Sequence, residues 1–185
     1  MSNRLAIRAS DIEGRGIFAT RSFRSGDVVM RATGKNVFGQ YAPGAIPEDP
    51  MMIGVGVGHW VKPIRPSIFR WLNHSCTPNI GLRGQRKFVA IRSIRAGEEI
   101  VHDFSMSEAD PWWSMRCLCG SRNCRRRIRA FQFLTIDQQR TYRPWVAKWV
   151  LDCAVLYRQL PIRQANRMLV ELSAKNSLNQ QNRKR

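Results

Sequence analysis

The sequence predicts a mainly β domain followed by C-terminal helices. Three observations carry this. Up to residue 104, short segments rich in β-branched and aromatic residues alternate with glycine-bearing turns. Beyond residue 142, apolar residues return at helical spacing: Trp145, Trp149 and Leu156 fall near one face, as do Val146, Val150 and Cys153. Between these regions lies CLCGSRNC (117–124), whose three cysteines on a glycine-bearing turn suit a wrapped metal ion. A chain of 185 residues fits one ordinary domain with a helical appendix, so metal would be a local staple beside a real core.

The strand candidates, in order, are RGIFAT, DVVMRA, KFVAIRSI and EEIVHDF. RSFRSGDVVM (21–30) and RSIRAGEEIV (92–101) echo each other, which reads as one turn chemistry used twice. Between residues 36 and 66, YAPGAIPEDP reads as a loop. MIGVGVGHWV reads as a strand whose glycines permit close backbone approach. Residues 105–124 read as a loop carrying DPWW and the cysteines. A helix is expected over 142–160 with Pro144 in its first turn, and a shorter one over 162–174. The polar, basic end NSLNQQNRKR reads as disordered.

Charge narrows the partners. The chain holds 31 Lys and Arg against 13 Asp and Glu, a net of +18. Such a field attracts polyanions, nucleic acid above all, and a solvated basic surface is the plainer alternative. RRRIR (125–129) and the tail offer Arg125, Arg126, Arg127 and Arg129 for non-specific nucleic-acid contact. No apolar run approaches a membrane span, so no membrane partner is expected. The first residues lack the apolar stretch of a secretory signal. A reducing compartment follows, cytoplasmic in a bacterium and nuclear in a eukaryote, where cysteines serve as metal ligands or free thiols.

Three cysteines leave a tetrahedral ion one ligand short. From the residues alone the fourth is open among Cys76, Cys153, His59, His74 and His102, with Cys153 better suited to an apolar helix core. Cys76 lies in RWLNHSCTPN (70–79). Its Asn, His and Ser need hydrogen-bond partners for every polar atom if buried, or else form a polar turn in which Asn73 and Asn79 bond their own backbone.

GRGIFAT (14–20), RWLNHSCTPN (70–79), GEEIVHDF (97–104) and CLCGSRNC (117–124), in this order, resemble a SET domain with a post-SET segment. The closest likeness is to small stand-alone proteins of bacterial type. The resemblance implies small curved sheets around a pseudoknot, over residues 1–104. It implies a zinc-pinned post-SET loop over 105–130, followed by a helical extension over 131–175 and a basic tail over 176–185. It implies transfer of a methyl group from S-adenosylmethionine to a protein lysine, in a histone-like or nucleic-acid-associated substrate. Gly14, Arg15, Gly16, Arg70, Trp71, Asn73 and His74 would hold the cofactor, His74 through its backbone. Cys76 would join Cys117, Cys119 and Cys124 around one zinc ion. Trp112 or Trp113 would pack on the adenine or cap the core beside the zinc loop.

Three positions depart from the family pattern. The catalytic tyrosine position is Phe104, and the aromatic position before it is His102. Ala32 stands where an early tyrosine is usual, which leaves Tyr41 as a candidate to reach the lysine channel. Two consequences stay open. His102 could accept a proton or hold a water in an active enzyme. Alternatively, the fold binds cofactor and a chromatin-like partner without efficient turnover.

Overall fold

The computed structural model describes residues 4–44, 51–64 and 67–182. The strands are β1 (Leu5–Ala9), β2 (Arg15–Ala19), β3 (Val28–Arg31), β4 (Gly34–Phe38), β5 (Ile53–Gly56), β6 (His59–Pro63), β7 (Asn73–His74), β8 (Ile80–Arg83), β9 (Lys87–Ala90), β10 (Glu99–His102), β11 (Ser114–Arg116) and β12 (Arg127–Arg129). The helices are α1 (Ile136–Tyr142), α2 (Lys148–Gln159) and α3 (Ile162–Asn182). A main sheet runs β1-β2-β10-β8-β9-β3 with β7 paired to β10, beside a β4-β6-β5 sheet and a β11-β12 ribbon. This is the expected mainly β architecture with C-terminal helices.

The echoed sequences do form one turn used twice, and the copies join. Gly26 and Gly97 take φ of 90° and 89°, a region that only glycine enters cheaply. Phe23 and Ile94 exchange backbone hydrogen bonds of 2.8 and 2.9 Å. Gly26 N–H donates to Ala90 and Gly97 N–H to Ala19, both at 2.8 Å. The two turns thus meet through the Phe23–Ile94 pair and tie to the neighbouring strands in matching ways.

β10 is the hub. It runs antiparallel to β2 and parallel to β7 and β8. The segment from β7 to β8 passes over it, with Ser75 N–H donating to His102 and Asn79 N–H to Val101. Asn79 is 1% exposed. Its side chain reaches across to β10, donating to Glu99 O at 2.7 Å and accepting from Val101 N–H at 2.9 Å. It therefore does not bond its own turn, the alternative allowed by sequence. Asn79→Ala removes both bonds and leaves buried β10 backbone groups unpaired. We expect a loss of about 2–4 kcal/mol in urea denaturation. A loss under about 0.5 kcal/mol would show that β10 is held without this clamp.

Four local expectations change. MIGVGVGHWV is a hairpin, β5 and β6, because Gly58 takes φ 69° and reverses the chain. The cysteine loop is bounded by the β11-β12 ribbon. The helix expected from Tyr142 is broken: α1 begins earlier, under a capping box of Thr135 and Gln138. A 3-10 turn carries Pro144, Val146 is extended, and α2 starts at Lys148. Proline lacks the N–H that a continuous helix would need there. Finally, α3 continues through Asn182, so residues 176–182 are helical, and 183–185 lie outside the described residues. No helix among the described residues is long and apolar enough to cross a membrane.

Candidate active site and cysteine cluster

The glycine loop between β1 and β2 is tied down by its neighbours. Gly14 takes φ 49°, and a Cβ on Gly16 would collide with the Glu99 carboxylate. Glu99 accepts from Ser10 Oγ with both oxygens at 2.9 Å. The Asn73 amide donates to Glu99 Oε1 at 2.8 Å, to Ser10 Oγ at 3.0 Å and to Arg15 O at 3.1 Å. Trp71 lies under two guanidinium groups, Arg15 at 5.8 Å and Arg70 at 5.9 Å from its ring centroid. Gly14, Arg15, Gly16, Arg70, Trp71 and Asn73 thus gather at one end of β2, β7 and β10. Among the described residues no donor reaches the Asn73 side-chain oxygen, so the cradle keeps an acceptor for a ligand.

His74 follows directly and turns the other way, into the interior. Its Nδ1 accepts the Phe104 N–H at 3.2 Å, which assigns the ring proton to Nε2, 3.4 Å from Cys76 Sγ. Burial, opposed by the Asp103 carboxylate and helped by the Arg125 charge, holds its pKa down at about 4, so the ring is neutral at pH 7. Asp103, fully buried, accepts from Arg125 Nη2 at 2.7 and 2.8 Å and caps the 3-10 helix Phe104–Ser107 through Ser105 N–H. Arg125 N–H in turn points at Cys76 Sγ, and Tyr142 Oη donates to Cys76 O. Neither Asp103 nor Arg125 stood out in sequence as a partner of the other. Arg125 read as part of a surface basic run, and the structure corrects this: its charge is spent inside. Arg127 bonds Ser114, and the Arg129 guanidinium sits 3.5 Å over the Phe133 ring.

The cysteines converge. Cys76 Sγ and Cys117 Sγ are 3.7 Å apart. That is the edge of a tetrahedron whose centre-to-sulfur distance is about 2.3 Å, the zinc–thiolate length. The Cys117 thiol also contacts those of Cys119 and Cys124. His74, Cys76, Cys117 and Cys119 have ligand atoms within 4.8 Å of one another. Burial resists ionisation of Cys119, but hydrogen bonds from the backbone and Ser121 outweigh it and bring the thiol to about 6. The donor set fits a soft divalent ion, as expected for zinc. Cys153 is elsewhere, 1% exposed in α2, as a core residue. His59 stacks on Phe38 and bonds Asn36, away from the cluster.

The other singled-out residues fall as follows. His102 is 1% exposed. It lies edge-on to Phe88 and lends Nδ1 to Ile80 O at 3.3 Å, while its Nε2 has no partner. Burial holds its pKa down at about 4, so it is a neutral interior residue and not an open proton carrier. Phe104, half-buried, sits between His74 and His102, with centroids at 5.4 and 6.3 Å. Trp113 packs on the cysteine cluster, whereas Trp112 is 59% exposed. The Tyr41 hydroxyl meets Tyr157 Oη at 3.4 Å, pointing at the helices. Its ring nevertheless lines a cavity of about 50 Å³ with Trp60, Trp113, Trp149, Glu108 and Asp110. Burial pushes the Glu108 carboxyl up to about 7.

Comparisons with known proteins agree with this geometry. The SET domain sequence model matches residues 14–105. A histone-lysine N-methyltransferase, H3 lysine-4 specific, of Cryptococcus neoformans is 30% identical over 138 residues, covering 65% of this chain and 9% of that protein. Histone-lysine N-methyltransferase 2B of Homo sapiens is 27% identical over 139 residues, covering 66% of this chain and 5% of that protein. The chain therefore spans less than a tenth of either relative's length. Among solved structures, KRYPTONITE in complex with mCHH DNA, H3(1-15) peptide and SAH aligns at a TM-score of 0.54 and 19% identity, over 67% of this chain and 29% of that one. That likeness concerns the fold. With the SET domain model matched over residues 14–105 and β2, β7 and β8 all paired to β10, the chain is a SET-domain protein.

Proposed function

We propose that this protein transfers a methyl group from S-adenosylmethionine to a lysine side chain of a protein. The observation that carries the reading is the cradle of Gly14, Gly16, Asn73 and Glu99, set one residue away from the His74–Phe104 contact. S-adenosylmethionine, when bound, supplies an electrophilic sulfonium methyl. The chain's own residues must do the rest. Gly14 to Gly16 bring backbone close to the ligand, and Trp71 with Arg70 and Arg15 closes one side. A lysine amine is protonated at neutral pH, with a pKa of about 10.4, and must lose that proton before it can attack. The cavity lined by Tyr41, Trp60, Trp113 and Trp149, with the acidic side chains of Asp110 and Glu108, suits an incoming ammonium. His102, sealed in the interior beside Phe104, packs against Phe88 and is not within reach of the amine.

Cys76, Cys117, Cys119 and Cys124 are the proposed zinc ligands, with His74 Nε2 donating to the Cys76 sulfur. Histone-lysine methyltransferase relatives, and a structural neighbour holding an H3 peptide, support a histone-like acceptor, which in a eukaryotic cell is nuclear. A second reading, a binding module without efficient turnover, is favoured by the tyrosines. Tyr41 faces Tyr157, Tyr157 donates to Asn166, and Tyr142 donates to Cys76 O, so none of these hydroxyls stands in for the one missing at Phe104. Labelled methyl transfer to histone-like proteins separates the readings. Several methyl groups per protein molecule support the enzyme; cofactor-saturated protein with no incorporation supports the module.

A further inference from the structure

Arg126, Arg127 and Arg129 stay exposed beside the mostly buried Arg125, and a second, more regular group of cations lies elsewhere. β3, β9 and β8 are neighbours, and their register places Arg31 opposite Lys87 and Lys87 opposite Arg83. Directly opposed residues share a sheet face. The next residues along, Met30, Phe88 and Leu82, are buried, so Arg31, Lys87 and Arg83 all stand on the solvent side. Strands are about 4.8 Å apart, so three like charges line up over about 10 Å. Opposed like charges destabilise a sheet. Arg86 adds a fourth cation at the β8-β9 turn, and the four line an open cleft of about 370 Å³ with Gly84 and Gln85. Among the described residues no carboxylate pairs with any of them. Arg86 bonds the neutral Asn36 side chain, and Arg83 lies over the Trp145 ring at 5.8 Å.

We propose that this row docks the phosphodiester backbone of nucleic acid. A polyanion supplies the charges that the fold withholds, and a regular line of phosphates matches a regular line of cations better than a single small anion does. The arrangement has a use: a chain of net charge +18 repels a lysine-rich substrate, and nucleic acid held on the row screens that repulsion. The docking itself does not depend on methyl transfer.

The test is fluorescence anisotropy with a labelled duplex of about 20 base pairs across a salt series. The full chain is compared with Arg31→Gln/Lys87→Gln and with Arg163→Gln/Arg167→Gln on α3, which removes the same charge. The row variant should lower the slope of log K against log salt by about 1.8, and weaken binding about tenfold near 100 mM salt, while the α3 variant stays close to the parent. Its melting temperature at low salt should also rise, because repulsion within the row is relieved. Equal losses in both variants, a melting temperature that falls, or tighter binding of polyglutamate than of the duplex would each overturn the proposal.

Discussion

Asp103→Ala is expected to cost about 3–5 kcal/mol of stability, the size seen when one partner of a buried ion pair is removed. The carboxylate is fully buried and does three things at once. It receives Arg125 Nη2 on both oxygens, caps the turn after β10 through Ser105 N–H, and lies 3.8 Å from His74 Nδ1. Removing it strands a guanidinium that is only 18% exposed. Urea denaturation should show the loss directly, and the melting temperature should fall by about 10 °C, at about 2–4 °C per kcal/mol for chains of this size. The double variant Asp103→Leu/Arg125→Met should recover part of the loss, since an apolar pair avoids the desolvation cost. A loss below about 1 kcal/mol for Asp103→Ala would mean that the pair is far wetter than its burial states.

Phe104→Tyr should raise the methyl-transfer rate by about 10–100-fold, the range that correct aim of a reacting group supplies. The backbone at this position is fixed by the His74 Nδ1 bond, and the ring is fixed edge-on to the His74 imidazole. A hydroxyl added at the para carbon extends the ring axis without shifting either. It would bond the lysine amine and align its lone pair with the methyl. Steady-state rates on one substrate protein measure the effect. Activity confined to the variant would favour the non-catalytic reading of the natural chain, whereas a fall in rate would show that the plain Phe104 ring already sets the geometry.

Much of the fold was legible because its strands repeat a simple pattern. β2, β3, β9 and β10 fall where β-branched residues run between glycines, and the repeated turn at Gly26 and Gly97 was visible as a sequence echo. Other parts depend on partners far along the chain. Alternating Gly and Val suits a strand or a reversal equally, and only the fold selects Gly58 for the turn. The end of α3 looked too polar to order, yet Ser173 Oγ accepts the Tyr41 N–H and the Asn176 amide donates to Val57 O. At the site, Cys117, Cys119 and Cys124 were readable from spacing, while Cys76 and Asn73 followed only from the resemblance to the family. The Asp103–Arg125 pair and the Asn79 clamp were not, since an arginine within RRR and an asparagine in a turn carry no mark of burial. Ser10, which anchors Glu99, gave no signal at all.

The cysteine cluster and the proposed cofactor cradle are linked as one unit. Cys76 is two residues from His74, His74 holds the Phe104 backbone, and Arg125, next to Cys124, grips Asp103. Loosening the cluster should therefore loosen the cradle. The direct measurement is calorimetric binding of S-adenosylmethionine to zinc-loaded protein and to the same protein after chelation. One zinc per chain is expected, with at least a tenfold loss of cofactor affinity, about 1.4 kcal/mol, once the metal is removed. Equal affinities in a chelated protein that remains folded would contradict this link.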